Sequence, residues 1–406
     1  DVTIYVTDEN GRQDFCTTSV GVQDNRNVCD IDPDGLVPVT GSITNSETAQ
    51  GLSETEIYIS GDANFMTMTD ENGYFEFSSL EQGNSFTIQP ARDGDDLNGV
   101  NTFDILLLQR YILGLIDFDS PYKHIAADVD NNQRISGSDI VHLRRLILGV
   151  DPSLTQNSSW RFTDADYNFG GSDPLTQNFP ERYDIQELIN EMHIGFEPIK
   201  IGDIDMSANF NGKEAQTRFN SYITLKSEQS TYEAGEIASI PVYIEDVERL
   251  DGFQIQWDYN PNIGSIEGVR SDQFDLSSGN WVVGPDHLRI SWSKASGHRI
   301  DEEQPLFYLD ILPERRITLA QILSLASGRK FSSEIYTSSG MHGLKYRLEG
   351  RSTAKPTFEL KQNRPNPAEE FTIIDVQVPV TMPTTLVITN GNGQEVYRER
   401  TVFARG

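Results

Sequence analysis

The chain has 406 residues, 37% of them hydrophobic, with 62 acidic against 32 basic side chains and a formal net charge of −30. That length exceeds what one compact core organises and calls for several domains. The charge repels nucleic acid and anionic membrane, and it leaves hydrated divalent cations as the favoured partners. No run approaches the ~18 to 20 apolar residues of a membrane span. Short alternating runs rich in Val, Ile, Thr, Tyr and Phe, punctuated by Gly and Pro, predict a mainly β, multidomain chain with one small helical module.

The opening run, VTIYVTDENGRQDFCTTSVGVQD, predicts a hairpin around Glu9-Asn10-Gly11. A lone hairpin is marginal in water, so its partner strands are expected upstream of Asp1. Residues 1–34 resemble the closing strands of immunoglobulin-like repeats found in tandem in large bacterial surface proteins. Cys16 and Cys29 flank the run TTSVGVQ and suit a short disulfide in an oxidising exterior, with two free thiols as the alternative. No zinc-ligand spacing accompanies them.

After a polar linker, VTGSI, TEIYIS, NFMTMT, GYFEFSSL and SFTIQP predict short strands, with Thr69-Asp70-Glu71-Asn72-Gly73 as a turn before Tyr74. Residues 37–91 resemble the carboxypeptidase-regulatory-like family, which implies a small prealbumin-type β-sandwich serving as a support.

DILLLQRYILG (104–114) and DIVHLRRLILG (139–149) are one segment repeated 35 residues apart, identical at seven of eleven positions. Ile105, Leu108 and Ile112, like Ile140, Leu143 and Ile147, lie at helical spacing, and Gly114 and Gly149 mark matching stops. The two apolar stripes are expected to bury each other. Upstream of the second helix, Asp128, Asp130, Asn132, Ser136 and Asp139 hold positions 1, 3, 5, 9 and 12 of a twelve-residue loop. Arg134 stands at position 7, where only a carbonyl is needed. This alternation turns every second oxygen inward, as Ca²⁺ coordination by six to eight oxygens requires. Gln133 replaces the usual Gly at position 6. Upstream of the first helix, Asp93, Asp95, Asn101 and Asp104 hold positions 1, 3, 9 and 12, with Gly99 at the carbonyl position. Leu97 at position 5 offers no side-chain oxygen.

A loop followed by an exiting helix, twice over, resembles the dockerin family. The resemblance implies two calcium ions and docking of the helices onto a cohesin domain, here one in the same or a neighbouring chain. The positions that choose the partner in that family carry Thr102, Phe103, Arg110, Ser138, Arg144 and Arg145 in this chain. For the Arg residues a solvated helix face is the competing reading. The module is expected to span 92–210. Within it Asp203, Asp205, Ser207 and Asn209 begin a third acidic loop, with Glu214 at its twelfth position. No apolar helix follows, so this segment is expected to fold back on the helical pair.

From 218 to 350 strands return: SYITLKS, ASIPVYIE, GFQIQWDY, HLRISWS and LFYLDIL. Gly235 before a strand, the Gly252-Phe-Gln-Ile-Gln-Trp-Asp run and the later Ile290-Ser-Trp resemble the cohesin-like family, implying a nine-stranded jelly-roll sandwich. Of Trp257, Trp281 and Trp292, two are expected in the core; a carbohydrate-stacking platform is the alternative. Residues 356–406 carry Leu360-Lys-Gln-Asn363-Arg-Pro365-Asn366-Pro367 and the turn Asn390-Gly-Asn-Gly393. They resemble the type A C-terminal sorting domain of type IX secretion, shortened at its end. That implies export across a Gram-negative outer membrane and attachment at the cell surface, with the secretion machinery and surface polysaccharide as partners.

Catalysis is not expected. The histidines, 124, 142, 193, 287, 298 and 342, are scattered, and there is no G-x-S-x-G, H-E-x-x-H or phosphate loop. The expected role is the non-catalytic, calcium-binding part of a secreted surface adhesin or filament protein. The alternative is an accessory and targeting tail of a secreted hydrolase.

Overall fold

The computed structural model describes residues 2–7, 13–18, 35–171, 173–211, 219–326 and 331–350, and in the tail 359–360, 363–364, 372–378, 382–391 and 394–403. The chain is mainly β with a small helical region. Among the described residues no helix is long and apolar enough to cross a membrane.

Strands β1 (Val2–Thr7) and β2 (Gln13–Thr18) pair antiparallel, Thr7 opposite Gln13. Cys29 and the side chain of Cys16 lie outside the described residues.

Five strands follow: β3 (Leu36–Ile43), β4 (Glu56–Gly61), β5 (Phe65–Met68), β6 (Tyr74–Glu81) and β7 (Phe86–Ala91). They do not close a sandwich by themselves. Three strands from beyond the helices complete it: β8 (Trp160–Asp164), β9 (Tyr183–Ile185) and β10 (Met192–Lys200). One sheet runs β6-β3-β10-β8 and the other β5-β4-β7-β9, with β10 parallel to β3. Val39, Ile43, Phe75 and Ile88 from the first group share one core with Trp160, Ile185 and Phe196 from the second. The sandwich therefore extends past the expected boundary at residue 91, and the helical segment is an insertion within it. In β10 both faces are buried beyond Phe196, and charged Glu197 and Lys200 lie inside; this hides the alternation by which strands are recognised.

The insertion holds α1 (Thr102–Ile112), α2 (Pro121–Ala127) and α3 (Gly137–Leu148). Asn101 and Ser136 cap α1 and α3 in capping boxes closed by Asp104 and Asp139. The repeated stripes meet in part: Ile105, Leu143 and Ile147 share a core with Val100 and Val129, Leu108 packs with Phe118, Ala127 and Ile204, half-buried Ile140 lies beside both groups, and Ile112 is exposed.

Beyond residue 218 a ten-stranded sheet wraps a single core. Within it the strand Arg249–Tyr259 pairs antiparallel with His287–Arg299 on one side and Glu334–Thr337 on the other. Trp257 and Trp292 are buried, and half-buried Trp281 packs against the same core. In the tail, Met382–Thr389 and Glu395–Phe403 form a hairpin closed by Asn390 and Gln394. Of the Leu360 to Pro367 motif only Leu360, Asn363 and Arg364 are described.

Candidate metal centres and docking face

In the contiguous loop, Asp128, Asp130 and Asp139 bring one carboxylate oxygen each to within 4.8 Å of one another. The chain folds around them through its own amides. Asp128 accepts from Asn132 N and Gln133 N, both at 2.9 Å. Asp139 Oδ1 accepts from Val129 N (2.8 Å) and Asp130 N (3.3 Å), and its Oδ2 from Ser136 N (2.8 Å). Burial pushes the Asp128 and Asp139 carboxyls above their ordinary range, against the lowering pull of these amides. Asp130 accepts from Ser138 Oγ at 2.6 Å through one oxygen; the other, Oδ1, is buried with no hydrogen-bond partner. Asn132 and Arg134 sit on the exposed side of the loop, where Asn131 at φ +53° and Gln133 at +65° turn the backbone. Non-glycine residues in the left-handed region mark a tightly specified turn.

Before α1 the structure gathers a different set. Asp104 meets Asp203 and Asp205, again with one oxygen each within 4.8 Å. Asp104 is fully buried and Asp203 nearly so. Asp203 accepts from Ser207 N and Ala208 N, both at 2.9 Å. Asp104 Oδ1 accepts from Ile204 N (2.7 Å) and Asp205 N (3.2 Å), and its Oδ2 from Asn101 N (2.9 Å). Burial first, and the Asp205 charge second, raise both the Asp104 and Asp203 carboxyls. Gly99 lies beside them at φ +76°; a Cβ there would come within 2.8 Å of the Asp203 carboxyl carbon and 2.6 Å of Ala208 N.

Asp93 and Asp95 do not join this cluster. Both are exposed, and Asp93 accepts from Ser159 N at 3.1 Å, which holds its carboxyl below the usual range. Leu97, at the position that lacked an oxygen, packs into the helical core. The residues missed as partners of Asp104 lay in the third acidic loop. Their signal was Asp203-x-Asp205-x-Ser207, the same spacing as Asp128-x-Asp130-x-Asn132.

The partner-choosing positions divide in two. Thr102, Phe103 and Arg110 on α1 lie against the second sandwich. Thr102 N donates to Gln254 Oε1 (2.8 Å), and the Thr102 and Ser291 hydroxyls are 2.8 Å apart. The Phe103 ring lies 5.5 Å from that of Tyr336, whose hydroxyl donates to Asn101 Oδ1. Arg110 pairs with buried Asp251 at 2.9 Å and donates to Ala295 O. On α3, Ser138 serves the acidic loop, and exposed Arg145 pairs with Asp151. Arg144 is half-buried, its Nε without a partner and its guanidinium pKa lowered by burial.

Three clustered carboxylates at each place form an oxygen-only donor set, which suits a hard divalent cation rather than a soft one. The unpartnered, buried Asp130 Oδ1 fits such an ion. Among curated proteins none matches the chain. Among solved structures it is similar to the cohesin CaCohA2 of Clostridium acetobutylicum (14% identity over 31% of this chain and 88% of that one, TM-score 0.24). It is also similar to the Coh-OlpC–Doc435 complex of Clostridium thermocellum (9%, 33% and 94%, TM-score 0.26). A third is a cohesin module from a Clostridium perfringens family 33 glycoside hydrolase (15%, 30% and 98%, TM-score 0.21). A family model, the dockerin type I domain, matches residues 93–148. That match covers all three helices of the insertion, and dockerin type I domains are a calcium-binding class of assembly modules.

Proposed function

We propose that this chain is a calcium-dependent structural segment of a secreted surface protein, in which the dockerin domain docks in cis onto a cohesin-like sandwich. The observation that carries this reading is the seal between α1 and the strands Arg249–Tyr259 and His287–Arg299. Thr102, Gln254 and Ser291 are all buried there, and Arg110 reaches Asp251. Buried polar groups that find partners across a junction fix one orientation, because each would be left unsatisfied in another. The cis contact makes one stiff unit of two domains, as a stalk or fibre needs.

The domain takes about two calcium ions. Asp128, Asp130, Asn132, the Arg134 carbonyl, Ser136 and Asp139 hold one, and Asp104 with the capping residue Asn101 belongs to the other. Calcium supplies the charge that buried carboxylates lack. The chain's own part is to pre-turn the loop by amide donation and to seat Asp104 and Asp139 in the first turns of α1 and α3. Export by type IX secretion to a Gram-negative cell surface, in an adhesin or filament protein, is supported by the Leu360 to Pro367 motif and the acidic composition.

Sedimentation and small-angle scattering of the full chain in calcium test the cis dock. A compact monomer at every concentration is expected, with R110E more extended. Concentration-dependent dimers that R110E dissolves would transfer the contact to neighbouring chains, and the reading would fail.

A further inference from the structure

We infer that the first cation site of the dockerin domain is a split loop, its first half supplied by residues 203–208 and its second half by residues 99–104. This rests on the calcium reading above and concerns which of the chain's residues serve that ion. The two clusters superpose role by role. Asp203 takes the place of Asp128, accepting the amides four and five residues on. Asp104 takes the place of Asp139, accepting from Ile204 and Asp205 as Asp139 accepts from Val129 and Asp130. Met206 is left-handed at φ +58°, matching Asn131 at +53°. Asn101 matches Ser136 as the helix cap, and each donates its backbone N–H to the acid three residues later.

The halves join where a contiguous loop would run through. The Ser207 hydroxyl donates to Gly99 O at 3.2 Å, and Asn98 and Asn209 exchange two hydrogen bonds of 2.8 Å. Gly99 must lack a side chain because Asp203 and Ala208 occupy its space. The segment 93–97, which would otherwise be the first half, is engaged elsewhere. Asp93 accepts from Ser159, the Asp96 carbonyl accepts from Lys200 Nζ, and Leu97 fills the helical core.

The split has a mechanical consequence. Asp203 follows β10 of the first sandwich after two residues, and Asp104 lies in the first turn of α1, which carries the dock to the second sandwich. One ion at this place ties the end of the sandwich to the start of the docked helix. An ion in the contiguous loop ties only α2 to α3.

Calorimetric calcium titration of the full chain tests the assignment, comparing wild type with D203N/D205N, D93N/D95N and D128N/D130N. D203N/D205N and D128N/D130N should each lose one ion's binding, and D93N/D95N should lose none. Loss of an ion in D93N/D95N with both retained in D203N/D205N would overturn the split loop. A wild type that takes no calcium would instead overturn the calcium reading itself. Should D203N/D205N not fold, hydrogen exchange on wild type decides. The amides of Ile204, Asp205, Ser207 and Ala208 should gain protection at the same calcium concentration as that of Asn101. Protection confined to 93–104 would overturn the assignment.

Discussion

Helices α1 and α3 descend from one repeated segment, identical at seven of eleven positions, yet they live in different surroundings. The first packs against the second sandwich and against α3, with Leu106 and Leu108 both fully buried. The second turns Val141 and Arg145 to solvent and is served by a loop continuous with it. The sequence of a repeat sets the helix and its cap. What the helix is for depends on which distant strands reach it. In α1 the acid at the third helical position holds the amides of residues 204 and 205; in α3 the same acid holds its neighbours at 129 and 130.

The largest expected effect compares these acids directly. Asp104→Ala leaves three amides without an acceptor and releases two segments from each other, for a loss on the order of 3–5 kcal/mol in calcium. Asp139→Ala frees amides inside one short loop, which can turn to water, for about 2–3 kcal/mol. Thermal unfolding with and without chelator measures both. Each loss should shrink in chelator, and equal losses for the two variants in calcium would erase the distinction drawn between the halves.

Gly99→Ala probes the close approach at about 2–3 kcal/mol, since the left-handed backbone and the contacts with Asp203 and Ala208 both resist a Cβ. Gly149→Ala shares the left-handed backbone at φ +75°, but its new methyl meets only the Arg289 guanidinium, the far end of a flexible side chain. About 1 kcal/mol is expected. Denaturant melts that rank the two the other way would remove the steric argument for Gly99.

A pH series addresses the sandwich that delivers the split loop. Glu197 in β10 accepts from Asn45 Nδ2 and from Ser46 N, and burial raises its carboxyl to about 7 from the ordinary 4.5. A carboxyl raised in the folded state binds more protons folded than unfolded. Its contribution is fully present below pH 4.5 and is lost as pH rises towards 7. Glu197→Gln should flatten that part of the stability–pH curve, on the order of 2 kcal/mol. An unchanged slope would mean that the buried carboxyl is ionised throughout.

Much of this was legible in the sequence. Residues of the contiguous loop, the two helices and the strands from 39 to 90 announce themselves by spacing, because each is local. The sandwich boundary was not, since β10 pairs parallel with β3 across an insertion and hides its alternation under Glu197 and Lys200. Helix α2 left a readable start in Ser120-Pro121, an N-cap followed by proline in the first turn, but only seven residues of pattern. The split loop was half visible. Asp203, Asp205 and Ser207 carry the right spacing, yet no helix follows them in sequence; the helix that completes them precedes them. Sequence order, not residue chemistry, concealed the pairing.

The smallest effect falls on the two arginines at equivalent repeat positions, and it is the sharpest test of what the docked surroundings add. Arg110 is a quarter exposed and pairs with Asp251, whose side chain is 7% exposed. Arg110→Ala removes that pair and the bond to Ala295 O, but Arg249 Nε stands 3.9 Å from the other Asp251 oxygen and keeps part of the compensation. The cost should therefore be about 1–2 kcal/mol, below that of stranding a buried charge outright. Arg145 makes two hydrogen bonds of 2.7 Å to Asp151, a better geometry, yet in the open. Arg145→Ala should cost no more than about 0.5 kcal/mol and less still in high salt, because water and ions replace an exposed pair at little loss. If Arg145→Ala proves the costlier, bond geometry outweighs burial here, and the seal on α1 loses the energetic meaning given to it.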